Sequence, residues 1–273
     1  MARQWSYVTR KSGGVVSGRS PRGGKPKSDE PFIRELVLLR DRVEDWTHYP
    51  FTIPAVSRLE SLVLHPKVTF LVGENGSGKS TLIEAIAIAA GFNAEGGSQN
   101  FHFATRPSES SLHSVLRVIR GARRPKTGFF LRAESFFNVA SQVDSIAAVD
   151  AGILNSYGGK SLHEQSHGES FIDLLKNRFG PNGLYFLDEP EAALSPSRQM
   201  AALVRIHDLV GEGSQFIIAT HSPILMAYPD ATILSVGEHG LAPVRYEETE
   251  HYSLTRRFLN DPHGMLRQLF KGE

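Results

Sequence analysis

The chain has 273 residues, 40% of them hydrophobic, and its 30 Lys and Arg against 29 Asp and Glu leave a formal charge of +1. That balance excludes a whole-molecule electrostatic draw to nucleic acid or membrane. The lack of cysteine excludes a disulfide framework, a thiolate metal site and a cysteine nucleophile, and it suits a reducing, cytoplasmic setting.

The charge is unevenly spread. Residues 1–28 hold seven basic side chains (Arg3, Arg10, Lys11, Arg19, Arg22, Lys25, Lys27) and no acid, so the remainder carries a net −6. Residues 11–28 are dominated by Gly, Ser, Pro and positive charge, which bury too little apolar surface to offset the entropy of ordering. A disordered basic tail is therefore expected over 1–30, followed by a single domain over 31–273. An organellar transit peptide is also Arg-rich, but the five glycines and two prolines of 11–28 oppose its amphipathic helix. The longest apolar stretch, Leu82 to Phe92, is broken by Glu84 and falls well short of the roughly 20 residues of a membrane span.

Along that domain, Phe32–Leu39 and Val68–Val72 are predicted strands, and Ser80–Ala90 is a predicted buried helix stopped by Gly91. Gly128–Leu131, Leu184–Leu187, Gln215–Ala219 and Ala231–Val236 are short apolar runs that suit buried parallel strands, with helical patterns at 169–178 and 196–210 between them. The fold class is α/β with a mainly parallel central sheet flanked by helices, and the less regular residues 93–165 are expected to be an inserted subregion.

After the strand Val68–Val72 comes Gly73-Glu74-Asn75-Gly76-Ser77-Gly78-Lys79-Ser80-Thr81, which fits G-x-x-x-x-G-K-[ST] and opens a helix. Its glycines let backbone N–H groups turn inward around phosphate oxygens, and the helix N-terminus adds a positive dipole end. Lys79 is expected to reach the β- and γ-phosphates of ATP, and the Ser80 hydroxyl to ligate Mg²⁺. The run Leu184-Tyr185-Phe186-Leu187 ends in Asp188-Glu189-Pro190, two carboxylates at a strand's C-terminal edge, where open α/β sheets bind ligands. Asp188 is expected to hold Mg²⁺ and Glu189 to polarise the attacking water. A third strand ends in Thr220-His221-Ser222-Pro223, which places His221 at the same edge as a γ-phosphate contact that signals to a neighbouring subunit.

Together GENGSGKST at 73–81, LYFLDEPEAALS at 184–195 and IIATHSP at 217–223 resemble the ABC-type P-loop ATPases, in the soluble branch of chromosome-maintenance and RecF-like heads rather than the AAA+ rings. The resemblance covers most of residues 31–236, and it is nearest to compact stand-alone ATPases without a coiled coil. It implies a P-loop NTPase fold with an antiparallel β portion, and an ATP-sandwiched homodimer that hydrolyses ATP and drives a conformational change on a partner. It also implies a signature motif whose Ser and Gly reach the nucleotide of the other subunit. Gln165-Ser166-His167-Gly168-Glu169 stands in that place: Ser166 and Gly168 match, His167 replaces the first Gly, and Glu169 stands where Gln is common. Ser195 replaces the usual Asp of the D-loop after Ala192-Ala193-Leu194. Gln99 and Glu134 are alternative Q-loop residues, and Tyr49 or Phe51 would stack on adenine.

Other signals compete. His163-Glu164-Gln165-Ser166-His167 fits the zinc pattern H-E-x-x-H, but it lies in a polar run between glycines and lacks a third ligand at helical spacing. Arg106, Arg117, Arg120, Arg123, Arg124, Lys126 and Arg132, with Glu109 the one acid between Gly96 and Arg132, form a candidate surface for DNA or RNA with the tail. Alternative roles are the nucleotide-binding subunit of a membrane transporter, and an ATP-gated regulator of a nuclease or toxin in a defence system.

Overall fold

Val68–Val72 (β3) is buried at every position, as are its neighbour Gln215–Ala219 (β7) and the strand beyond that, Gly183–Asp188 (β6). A strand buried on both faces has no polar side to present, which is why these segments read as unbroken apolar runs. The computed structural model describes residues 30–94, 96–98, 110–132, 136–147, 152, 161, 163 and 166–271. The basic tail over 1–29, the Q-loop candidates Gln99 and Glu134, Arg106, and Glu164 and Gln165 lie outside them.

Thr127–Arg132 (β5), β6, β7, β3, Ala231–Gly237 (β8) and Gly240–Pro243 (β9) form a six-stranded sheet in that order. Every pairing is parallel except the β8–β9 hairpin. A second sheet is antiparallel throughout, with Ile33–Leu38 (β1) between Ser61–Val63 (β2) and Leu116–Arg120 (β4). Residues 93–165, expected to be an insertion, thus supply β4 to one sheet and β5 to the other.

Alternate residues of the parallel strands feed two cores. Leu71, Leu184, Phe186, Ile217 and Ala219 face one side, where they pack with Lys79–Ala90 (α2) and the antiparallel sheet. Phe70, Val72, Tyr185, Leu187, Phe216 and Ile218 face the other, against Phe136–Ala147 (α3), His167–Asn177 (α4) and Pro196–Gly211 (α5). Burying each large side chain contributes on the order of 2 kcal/mol, so the sheet is fixed from both faces.

One polar side chain joins the two sheets. The Gln215 Oε1 accepts from the backbone N–H groups of Phe32 (3.0 Å) and Ile33 (2.9 Å), and its Nε2 donates to the carbonyls of Ile33 and His65, both at 2.9 Å. Short helices Pro54–Ser57 (α1) and Pro223–Met226 (α6) flank the sheet's edge. Two amphipathic helices, Glu250–Asn260 (α7) and Pro262–Phe270 (α8), close the described chain. The Tyr246 hydroxyl donates to the Pro223 carbonyl at 2.8 Å and ties the approach to α7 onto α6.

Candidate functional site

Because β3, β6 and β7 run parallel, their C-terminal ends open on one edge of the sheet. In register, Leu71 pairs with Ala219 and Ala219 with Asp188, so the loops after these three strands must meet.

The loop 73–78 is shaped by glycines. Gly73, Gly76 and Gly78 have φ of +154°, +78° and +99°. At Gly73 a Cβ would stand 2.2 Å from the Val236 carbonyl oxygen, and at Gly78 it would stand 2.6 Å from Ile53 Cγ2, so both positions exclude a side chain. Above Gly76 there is open space. Lys79, buried at the start of α2, donates from Nζ to the carbonyls of Gly73 (2.9 Å) and Glu74 (2.8 Å). Its pKa is held below the ordinary lysine value by burial, against the opposing pull of Glu189, Asp188 and Glu191.

Ser80 Oγ donates to Asp188 Oδ1 at 3.1 Å, which joins the first turn of α2 to the end of β6. Arg132 at the end of β5 forms an ion pair with Glu84 of α2, and its Nε lies 3.7 Å from Asp188 Oδ2. This partly buried arginine, expected to belong to a surface patch, instead balances two buried carboxylates. Glu189 has φ +50° and ψ +51°, a left-handed conformation costly for a non-glycine residue. Its backbone N–H is fixed to the Ala219 carbonyl at 2.9 Å. His221 Nε2 stands 3.5 Å from Glu189 Oε1. Glu191 clamps the loop after β7, accepting from Thr220 Oγ1 at 2.7 Å and from the His221 backbone N–H. On its other side, His221 Nδ1 lies 2.8 Å from Nε2 of His251 on α7.

These residues suit a magnesium-bound nucleoside triphosphate. Two buried polar atoms, Ser77 Oγ in the loop and His221 Nε2 after β7, have no hydrogen-bond partner among the described residues. A phosphate group offers acceptors for both, and the glycine cradle leaves it room. Ser80 and Asp188 present the hard oxygen ligands that Mg²⁺ prefers.

Ser166 and Gly168 sit at the start of α4. The Ser166 hydroxyl donates to Glu169 Oε2 at 2.7 Å, and Arg198 of α5 reaches both Ser166 Oγ (3.4 Å) and Glu169 Oε1 (3.3 Å). The Ser166 hydroxyl and N–H, and then the Arg198 charge, hold the Glu169 carboxyl below its usual range. A Cβ at Gly168 would meet Arg198 Nη1 at 2.4 Å and the Ala193 carbonyl at 2.9 Å. Glycine here lets α4 approach the 192–195 segment closely. Within the chain, these bonds tie Ser166 to α4 and α5 and leave the side chain exposed.

The Tyr49 hydroxyl is 2.8 Å from Thr81 Oγ1, and the ring is 64% exposed beside the loop. Phe51 is buried and packs edge-on against Trp46, which accounts for it as core. His163 of the H-E-x-x-H run pairs with Ser141 Oγ at 3.0 Å, and no cluster of three metal-binding side chains occurs among the described residues. Of the basic patch, Arg120 donates to the Ala90 carbonyl, and Arg123 donates to Asn182 and to the carbonyls of Glu30 and Gly213. Arg117, Arg124 and Lys126 remain exposed.

Two family models match the chain. One, described as "AAA domain", covers residues 53–132 and so the glycine loop; the other, "AAA domain, putative AbiEii toxin, Type IV TA system", covers 170–227 and so Asp188, Glu189 and His221. Over these two segments the chain is similar to ABC-type P-loop ATPases. Curated relatives include the "Putative phosphonates utilization ATP-binding protein PhnK" of Escherichia coli (strain K12). It is 26% identical over 225 residues, which span 74% of this chain and 84% of that protein. The "ABC transporter G family member STR2" of Medicago truncatula is 27% identical over 177 residues, 57% of this chain, which spans only 24% of that protein's length. Similar solved structures include CbiO1 of Clostridium perfringens, part of the ABC transporter complex CbiONQ (TM-score 0.49, 19% identity, covering 88% of this chain and 100% of that one). The SMC head domain of Thermotoga maritima is another (TM-score 0.41, 17% identity, covering 78% and 99%). No helix among the described residues is long and apolar enough to cross a membrane.

Three members of the site were given no role there by the sequence. Arg132 stood among several basic residues, Glu191 lies inside the 184–195 motif without a role of its own, and His251 lies 30 residues beyond its partner. Only the fold brings them to the sheet edge.

Proposed function

We propose that the chain binds Mg-ATP at this edge and hydrolyses it to ADP and phosphate in a homodimer, with the loop of one copy facing Ser166 and Gly168 of the other. The observation that carries this reading is the convergence of Lys79, the Ser80–Asp188 pair, and the Glu189–His221 pair on one sheet edge. Lys79 binds the terminal phosphates, which replace the loop carbonyls it now contacts. Ser80 and Asp188 hold Mg²⁺, which when bound neutralises phosphate charge. Glu189 orients a water for in-line attack and takes up its proton, and His221 donates from Nε2 to the γ-phosphate. Tyr49 stacks on the base. Ser166 and the N-terminus of α4 complete the partner's site with hydrogen-bond donors, so that closure depends on the third phosphate.

The closure acts on a partner protein. Leu254, Leu259, Leu269 and Phe270 of α7 and α8 are 53–80% exposed, whereas Arg120, Arg123 and Arg132 of the basic patch are committed to internal contacts. A transport subunit and a nuclease or toxin each fit such an apolar surface, and the description of the second family model favours the toxin-linked reading. Substituting Glu189→Gln tests the chemistry: turnover is lost and a dimer accumulates with ATP in light scattering. A variant that hydrolyses ATP normally and stays monomeric at saturating ATP overturns the proposal.

A further inference from the structure

His221 has two ring nitrogens, and their surroundings make opposite demands. Its Nε2 is buried, lacks a hydrogen-bond partner and faces Glu189 Oε1 at 3.5 Å. A carboxylate and a phosphate oxygen are both acceptors, so a useful Nε2 is a protonated one. In a neutral imidazole the proton on Nε2 leaves a lone pair on Nδ1, which then needs a donor. The atom 2.8 Å from Nδ1 is Nε2 of His251, and the two rings meet edge to face at 64°. Lone pair against lone pair at that distance would be repulsive, so this tautomer of His221 requires the His251 proton on Nε2.

We propose that His251 is a positioning residue for His221: by donating from Nε2 to His221 Nδ1 it locks the tautomer that presents an N–H to Glu189 and the γ-phosphate. This rests on the nucleotide reading of the site. Three further observations fit it. His251 stands on α7, beyond both matched segments, 53–132 and 170–227, so the C-terminal helices reach the phosphate edge through it. It lines a cavity of about 390 Å³ with Glu74, Asn75, His221, Glu250 and Leu254, against the outer side of the glycine loop. Burial first, then the positive charge of His221 and Lys79, holds its pKa below the ordinary histidine value, while Glu250 and Glu74 pull the other way. Held that way, His251 resists a second proton.

The test uses the full chain in two arms. In the nucleotide-free protein at pH 8, long-range ¹H–¹⁵N spectra of the imidazoles should show His221 protonated on Nε2 and bare on Nδ1, and His251→Ala should turn this into a tautomer mixture. A His221 protonated on Nδ1 in the unsubstituted chain overturns the inference whether or not ATP is hydrolysed. In steady-state turnover, His251→Ala should lower kcat by about tenfold, the loss usual for a supporting hydrogen bond, with KM and melting temperature little changed. His251→Gln, whose amide N–H reaches the same point, should restore kcat to within about threefold. If the unsubstituted chain turns over ATP and His251→Ala matches it, or if Gln fails to rescue a folded protein, the inference falls. If the unsubstituted chain shows no turnover, the proposed function fails and the spectra alone decide the role of His251.

Discussion

Substituting Gly73→Ala tests whether the phosphate loop is held rigidly by the sheet. A Cβ at this position would stand 2.2 Å from the Val236 carbonyl oxygen, whereas an ordinary carbon–oxygen contact is about 3.3 Å. The backbone must therefore open by roughly 1 Å between two strands paired through Val72 and Ser235. Neither strand can yield alone, since β3 is also bonded to β7 and β8 to β9. Overpacking of this size costs about 1–3 kcal/mol, and forcing a side chain to φ +154° costs a further 1 kcal/mol or so. A total near 3 kcal/mol corresponds to roughly 6–12 °C in Tm for a chain of this size. Gly76→Ala is the control: nothing lies within 4 Å of its Cβ and only the φ of +78° opposes it, so about 1 kcal/mol is expected. Calorimetry of both variants without nucleotide decides the matter. Equal melting temperatures for the two, or a larger drop at Gly76, would refute the reasoning.

Two other perturbations probe the frame around the site. Gln215→Leu removes four hydrogen bonds and leaves buried backbone groups of β1 unpaired, so urea unfolding should show a loss of about 3–4 kcal/mol; a loss under about 1 kcal/mol would mean that the two sheets are joined by other means. His65 Nδ1 accepts from the N–H groups of Lys67 and Val68, both at 3.2 Å, and burial foremost, then the Lys67 charge, holds its pKa below the ordinary 6.5. The unfolded chain therefore takes up this proton first as the pH falls, so stability is full above about pH 6.5 and declines below it. Between pH 7.5 and 5.5 the unsubstituted chain should lose more in Tm than His65→Asn, whose side-chain oxygen replaces the acceptor; identical losses would contradict the assignment.

Much of the candidate site was legible because its residues are local in the chain. Gly73 to Thr81 combines turn and helix start in nine residues directly after a strand, and Asp188 with Glu189 terminates an unbroken apolar run, so spacing alone singled them out. The strands β3, β6 and β7 were equally plain, since burial on both faces leaves no polar residue to blur them. The antiparallel sheet was harder to read: β2 has three residues and β4 alternates Leu116, Val118 and Ile119 with two arginines. Helices α7 and α8 bury no residue fully and carry enough charge to resemble a loop. Long-range pairs left no trace at all. Arg132 with Glu84, Glu191 with Thr220, and His251 with His221 are matched by topology, and single-residue chemistry gives no sign of which partner a side chain will meet. The left-handed backbone at Glu189 belongs to the same class, because the hydrogen bond that holds its N–H comes from Ala219 on a neighbouring strand.

The claim that most needs testing is that each site is shared between two copies. Lys79→Ala disables the phosphate loop and Ser166→Arg blocks the face presented to the partner, so each variant alone should be inactive in ATP hydrolysis while remaining folded. Mixed in equal amounts, they form heterodimers in which one site pairs an intact loop with an intact Ser166, and turnover should return to about a quarter of the unsubstituted rate, as statistical pairing requires. No recovery on mixing, with both variants folded and able to associate, would contradict a site completed in trans.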